Sequence, residues 1–141
     1  MRFPAATELL NTMADQLMAG DIRAVADRFV TPTPVYFDDD LMVVRTPEMA
    51  RAQLSTFRGA LLSRGVTRLR AEVTALSLPI GPLRRAWVTW RYQGPSGTPR
   101  GQARTHYVVR CNGQPDAVQL EMVQYTEIAF PTYVAGLPLA R

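Results

Sequence analysis

Leu9, Leu10, Met13 and Leu17 recur at helical spacing, and the break at Ala19-Gly20-Asp21 predicts a first helix over about 5–18. Ile22, Val25, Ala26 and Phe29 mark one face of a second, short helix with Asp21 at its N-cap position, and Thr31-Pro32-Thr33-Pro34 forbids its continuation. Val35-Tyr36-Phe37 favours a strand, and Asp38-Asp39-Asp40 after it reads as a solvated turn. Thr46-Pro47-Glu48 is a helix start: Thr46 caps, Pro47 sits where its missing N–H is harmless, and Glu48 meets the positive end of the helix dipole. Ala50, Leu54, Phe57 and Leu61 give this third helix a buried stripe, and Gly65 suits its left-handed C-terminal residue.

From residue 66 the period changes from 3.6 to 2. Pro79-Ile80-Gly81-Pro82, Gly94-Pro95-Ser96-Gly97 and Asn112-Gly113 separate four strand candidates, which predicts an antiparallel meander. Strict alternation sorts Leu69, Ala71, Val73 and Ala75 to one face, with Ala86, Val88, Trp90 and Tyr92. The same face receives Ala103, Thr105, Tyr107, Val109 and Cys111, then Val118, Leu120, Met122, Gln124, Thr126 and Ile128. The other face receives Arg68, Arg70, Glu72, Arg85, Trp87, Thr89 and Arg91, then Arg104, His106, Arg110, Glu121, Val123, Tyr125 and Glu127. Helices followed by a one-sided meander make an α+β domain.

The 141 residues, 47% hydrophobic and 20% charged, suit one domain with a real core over residues 1–141, the last stretch, 131–141, reading as a tail. No apolar run reaches a membrane span and nothing resembles a secretory signal, so a cytoplasmic location is expected. A single cysteine and a single histidine are too few soft ligands for a zinc site; no metal and no cofactor are expected. All 16 basic residues are arginine, and residues 64–110 hold nine of them against Glu72 alone. Arg85, Arg91, Arg104 and Arg110 with Trp87 could meet phosphates, but Glu72, Glu121 and Glu127 interrupt the patch, so nucleic acid is disfavoured. A homodimer interface through Arg85, Trp87, Arg91, Arg104, His106 and Tyr125 is the preferred partner reading, and His106 belongs with that face.

The order of helices, strand, capped helix and meander resembles the nuclear-transport-factor-2-like fold, the cone shared by ketosteroid isomerase-like and SnoaL-like proteins. Ala19-Gly20-Asp21 with Phe29, Val35-Tyr36-Phe37-Asp38, Trp90-Arg91-Tyr92-Gln93-Gly94 and Arg110-Cys111-Asn112-Gly113 are similar to positions of the isomerase branch, in order, over about residues 5–130. The resemblance implies three N-terminal helices on a curved antiparallel sheet with one short extra strand, an apolar pocket between them, and dimerisation through the outer sheet face. It also exposes departures. Where the isomerases carry a tyrosine on the first helix this chain has Met13, and their general base falls at Phe37, with Asp38 one residue on. Their remaining acid falls at Thr105 or Tyr107. Proton transfer between carbons needs both a base and donors to the enolate, so isomerase activity of that kind is not expected.

What remains is a small-molecule-binding domain whose apolar or aromatic ligand would meet Met13, Leu17, Phe37, Trp90, Tyr92, Thr105, Tyr107 and Gln124. Two alternatives stand beside it. One is a cofactor-free isomerase, cyclase or hydrolase with Asp38 as displaced base and Tyr107 as oxyanion donor; the other is an interaction module built on the arginine face. Cys111 is expected as a small buried hydrophobe.

Overall fold

A computed structural model describes residues 4–37, 40–111 and 118–127; Asp38, Asp39, the Asn112-Gly113 turn, Ile128 and the 131–141 tail lie outside the described residues. Three helices, α1 (Pro4–Ala19), α2 (Ile22–Ala26) and α3 (Pro47–Ser63), accompany six strands. These are β1 (Thr33–Phe37), β2 (Asp40–Val44), β3 (Arg68–Leu76), β4 (Leu83–Gln93), β5 (Pro99–Arg110) and β6 (Gln119–Glu127). The sheet order is β2-β1-β6-β5-β4-β3. The expected meander is present from β3 to β6, but β1 runs parallel to β6, so the sheet is mixed and not wholly antiparallel.

Two local expectations need correction. Asp40 belongs to a second N-terminal strand and not to a solvated turn, because Asp40–Val44 finds a hairpin partner in Thr33–Phe37. Asp21 occupies the N-cap position of α2 without a side-chain capping bond. Thr46, in contrast, accepts the Met49 N–H at 3.1 Å, and Gly65 closes α3 at φ +75°, where a side chain would be strained. No helix among the described residues is long and apolar enough to cross a membrane.

The core lies between the sheet and the helices, with Leu10, Met13 and Leu17 of α1 meeting Leu69, Ala71, Val88 and Tyr92 of the sheet. Period two holds on β3 to Val73, on β4, and on β5 to Tyr107. It fails at several places. A register shift between Val73 and Ala75 turns Ala75 out to solvent. Cys111 is exposed because β5 stops at Arg110, beyond the helical cover, and its N–H is taken by the Pro82 carbonyl. The third is the largest. Val108 faces Met122 while Val109 faces Leu120, so Glu121 is an extra residue on β6, and the bulge reverses the side chains from Met122 to Tyr125; a second shift, at Thr126 between the Thr105–Tyr125 and Arg104–Glu127 pairs, returns Glu127 to the outer face. Val123 and Tyr125 therefore point inward, and Met122, Gln124 and Thr126 do not.

Helix α1 does more than cover the sheet. β3 is a margin of the sheet, and its outward N–H groups at Ala71 and Val73 are accepted by Asn11 Oδ1 at 2.7 Å and Thr7 Oγ1 at 3.4 Å. Asp15 adds an ion pair to Arg70. Asn11→Ala leaves the buried Ala71 N–H without its acceptor and is expected to lower unfolding free energy by about 1–3 kcal/mol. Urea denaturation checks this, with Asn11→Asp, which keeps an acceptor, expected to lose less.

Candidate functional site

The space between helices and sheet is not filled. A cavity of about 150 Å³ remains, a size at which an apolar protein cavity accepts a small aromatic guest. Leu10, Met13, Ala14 and Leu17 of α1 wall one side, and Ala50, Gln53, Leu54 and Phe57 of α3 another. β1 and β2 contribute Val35, Phe37, Met42 and Val44. The sheet floor consists of Leu69, Trp90, Tyr92, Tyr107, Val123 and Tyr125. None of the described residues lining the cavity carries a charge.

Polar atoms are concentrated on the floor. Trp90 Nε1 donates to Tyr107 Oη at 2.9 Å and to Thr105 Oγ1 at 3.1 Å, which fixes the indole and occupies one acceptor direction of the phenol. Tyr125 stacks on Phe37, with ring centroids 4.5 Å apart and planes 13° from parallel. Burial raises all three floor tyrosines above their ordinary range. For Tyr92 the proximity of Tyr107 adds to burial; for Tyr125 that of Tyr92 and Tyr107 does. For Tyr107 hydrogen bonds from Thr105 and Trp90 partly offset it. These phenols are neutral at physiological pH, able to donate and to accept.

Of the residues expected at a ligand site, Met13, Leu17, Phe37, Trp90, Tyr92 and Tyr107 reach the cavity wall. Thr105 does not; it is held behind the wall as a partner of Trp90. Gln124 is turned away by the β6 bulge and sits on the outer face, its Oε1 3.3 Å from His106 Nδ1. The same bulge moves Tyr125 from the expected interface into the cavity. Asp38, the candidate base, lies outside the described residues, and no other carboxylate lines the cavity among those described. Among them, too, no group of three metal-ligating side chains occurs. Sequence reasoning missed Val123 and Tyr125, whose signal is hidden by the bulge. It also missed Gln53, which is legible as the polar residue three positions after Ala50 on the buried stripe of α3.

On the outer face His106 is buried and stacked on Trp87, with centroids 4.8 Å apart. Three of its arginines are spent on cross-strand pairs, Arg91 with Glu72, Arg104 with Glu127 and Arg110 with Glu121. With the Arg70–Asp15 pair, four of the nine arginines of residues 64–110 are thus matched by carboxylates.

No protein-family model matches the chain, and no curated protein matches it. Solved structures share its architecture. A domain of unknown function with a cystatin-like fold from Nostoc punctiforme superposes with TM-score 0.64 at 19% identity, over 90% of this chain and 77% of that one. An NTF2-like protein with a cystatin-like fold from Novosphingobium aromaticivorans gives 0.62 at 13% identity, over 96% and 87%. ActVI-ORFA from Streptomyces coelicolor gives 0.62 at 14% identity, over 88% and 95%. The chain has the nuclear-transport-factor-2-like, cystatin-like fold.

The tyrosine floor has a pH consequence with a definite sign. With folded pKa values raised, the native state keeps three phenolic protons that the unfolded chain loses near pH 10, so this contribution to stability is whole below about pH 10 and falls as pH climbs through the raised values. In an alkaline titration followed at 295 nm, Tyr92, Tyr107 and Tyr125 are expected to resist ionisation until the protein unfolds. Smooth ionisation of every tyrosine near pH 10 with the fold intact contradicts this.

Proposed function

We propose that the domain binds a small, uncharged, mainly apolar ring compound in the cavity, with any hydroxyl of the ligand addressed by the tyrosine floor. The observation that carries the reading is an uncharged lining with polar tips gathered on one wall, where Tyr107, Tyr125 and Tyr92 supply neutral donors and acceptors. In this reading the curved sheet and the helices close as a cone around the ligand, in a cytoplasmic, reducing setting that suits the exposed thiol of Cys111. Moving a carboxylate or an ammonium group out of water into such a lining, with no countercharge, is costly. Binding is therefore selective for the neutral form. The fold's likeness to ActVI-ORFA and to domains of unknown function is compatible with this reading and adds no substrate.

Isothermal titration with 2-naphthol, 2-methoxynaphthalene and 2-naphthoate tests it. The two neutral compounds are expected to bind at least about tenfold, or about 1.4 kcal/mol, more tightly than the carboxylate. Leu54→Trp, which fills the cavity from the helical side, is expected to weaken both neutral compounds by a similar factor. Equal affinity for the carboxylate, or no binding by any of the three, overturns the reading.

A second reading concerns the outer sheet face. We infer a homodimer there because Trp87 lies 37% exposed in the middle of a face on which Arg91, Arg104 and Arg110 are paired with glutamates, leaving an apolar plate framed by ion pairs. Arg85, His106 and Gln124 would share that contact, whereas Tyr125 would not. Trp87→Glu is expected to convert a sedimenting dimer to monomer; an unchanged sedimentation coefficient removes the proposal.

A further inference from the structure

One polar group in the cavity wall is not explained by the tyrosine floor. Gln53 lies on the buried stripe of α3, where its cavity-lining neighbours Ala50, Leu54 and Phe57 are apolar. Its Oε1 is fully buried and has no hydrogen-bond partner among the described residues. The hydroxyl of Thr33, another cavity-lining residue, is committed, since its Oγ1 donates to the Val30 carbonyl at 2.5 Å. Trp90 Nε1 is likewise spent on Tyr107 and Thr105. A dehydrated carboxamide oxygen without a donor is a standing cost that a leucine of similar size would avoid. Such a cost is what a site carries when the missing partner arrives with the ligand.

Resting on the ligand reading above, we infer that Gln53 determines specificity: the ligand carries a hydroxyl or N–H donor directed at α3, in addition to any polar group that meets the tyrosines. The ligand class narrows accordingly, to uncharged ring compounds bearing polar hydrogens at two separated positions. A purely hydrocarbon ring would satisfy the apolar lining and leave Gln53 Oε1 as it is. A compound with one donor must choose between the helical wall and the floor; a compound with two can serve both.

The inference makes two demands on one residue, and they oppose each other. Gln53→Leu removes the unpartnered acceptor, so the ligand-free variant is expected to melt at the same temperature as the wild type or higher. The same change is expected to weaken 2,6-dihydroxynaphthalene about tenfold, the effect of one hydrogen bond to a buried acceptor, while leaving naphthalene unaffected. The wild type is expected to prefer the diol over 6-methoxy-2-naphthol, and that preference is expected to collapse in Gln53→Leu and in Gln53→Met, the second variant guarding against a packing fault particular to leucine. Calorimetric titration and thermal melts read all of these. If the naphthalenes bind but the diol keeps its affinity and its preference in both variants, Gln53 has no such role and the ligand reading survives. If none of the naphthalenes binds, both fall. A fall in the melting temperature of both ligand-free variants also overturns the inference, since it means that the carboxamide is already satisfied within the fold.

Discussion

Everything on the inner face of this sheet depends on the alternation of an extended chain, and on the bulge at Glu121 by which β6 departs from it ahead of Tyr125. Side chains two apart share a face, so an unbroken β6 would send Gln124 inward with Leu120 and send Tyr125 out among the arginines. Glu121, the extra residue between the Val108–Met122 and Val109–Leu120 pairs, prevents this. It places Val123 beside Tyr107 and Tyr125 beside Thr105, and it lets Glu121 itself meet Arg110 on the outside. With the same residues in an unbulged strand, the cavity floor would lose its third phenol and the stack on Phe37, and the outer face would lose the Gln124 partner of His106.

The element order, the three helices and the meander were legible in the sequence because each rests on local chemistry. Thr46-Pro47, Gly65 and the periodicity of Leu10, Met13 and Leu17 act within one or two turns of chain. The inward direction of Trp90, Tyr92 and Tyr107, and the outward one of His106, followed from parity alone. What parity could not supply was the point at which it breaks. Nothing in Val118-Gln119-Leu120-Glu121-Met122 distinguishes a regular strand from a bulged one, since the choice is made by the partner strand's register. β2 was hidden for a similar reason: three aspartates in a row have weak strand propensity, and Asp40 is extended because Phe37 offers it a partner. Cys111 misled because periodicity says which way a residue points and not where the covering helices end.

The partition of charge follows from the same geometry. Nine arginines between residues 64 and 110 would be incompatible with an apolar chamber if any of them turned inward. On the outer sheet face Arg91, Arg104 and Arg110 are held by glutamates on neighbouring strands, and Arg70 is drawn to α1 by Asp15. Among the described residues the chamber is left with phenols, an indole, the Thr33 hydroxyl and a single carboxamide as its polar vocabulary. These groups recognise by direction, through hydrogen bonds, and not by attraction at a distance. A site of this composition gains little from electrostatic steering and owes its selectivity to shape and to the number of donors that a guest presents.

The lacing of α1 onto β3 reaches beyond the stability of one molecule. Asn11 and Thr7 occupy backbone groups that a foreign strand would otherwise seize, so one flank of the sheet is closed to strand addition by side chains from the same chain. The opposite flank is β2. A sheet able to grow from one side alone ends after a single joining of two flanks, whereas fibres require two open sides on every unit. The first helix thereby leaves an incoming strand fewer backbone groups to register on along β3 than a bare sheet margin would offer.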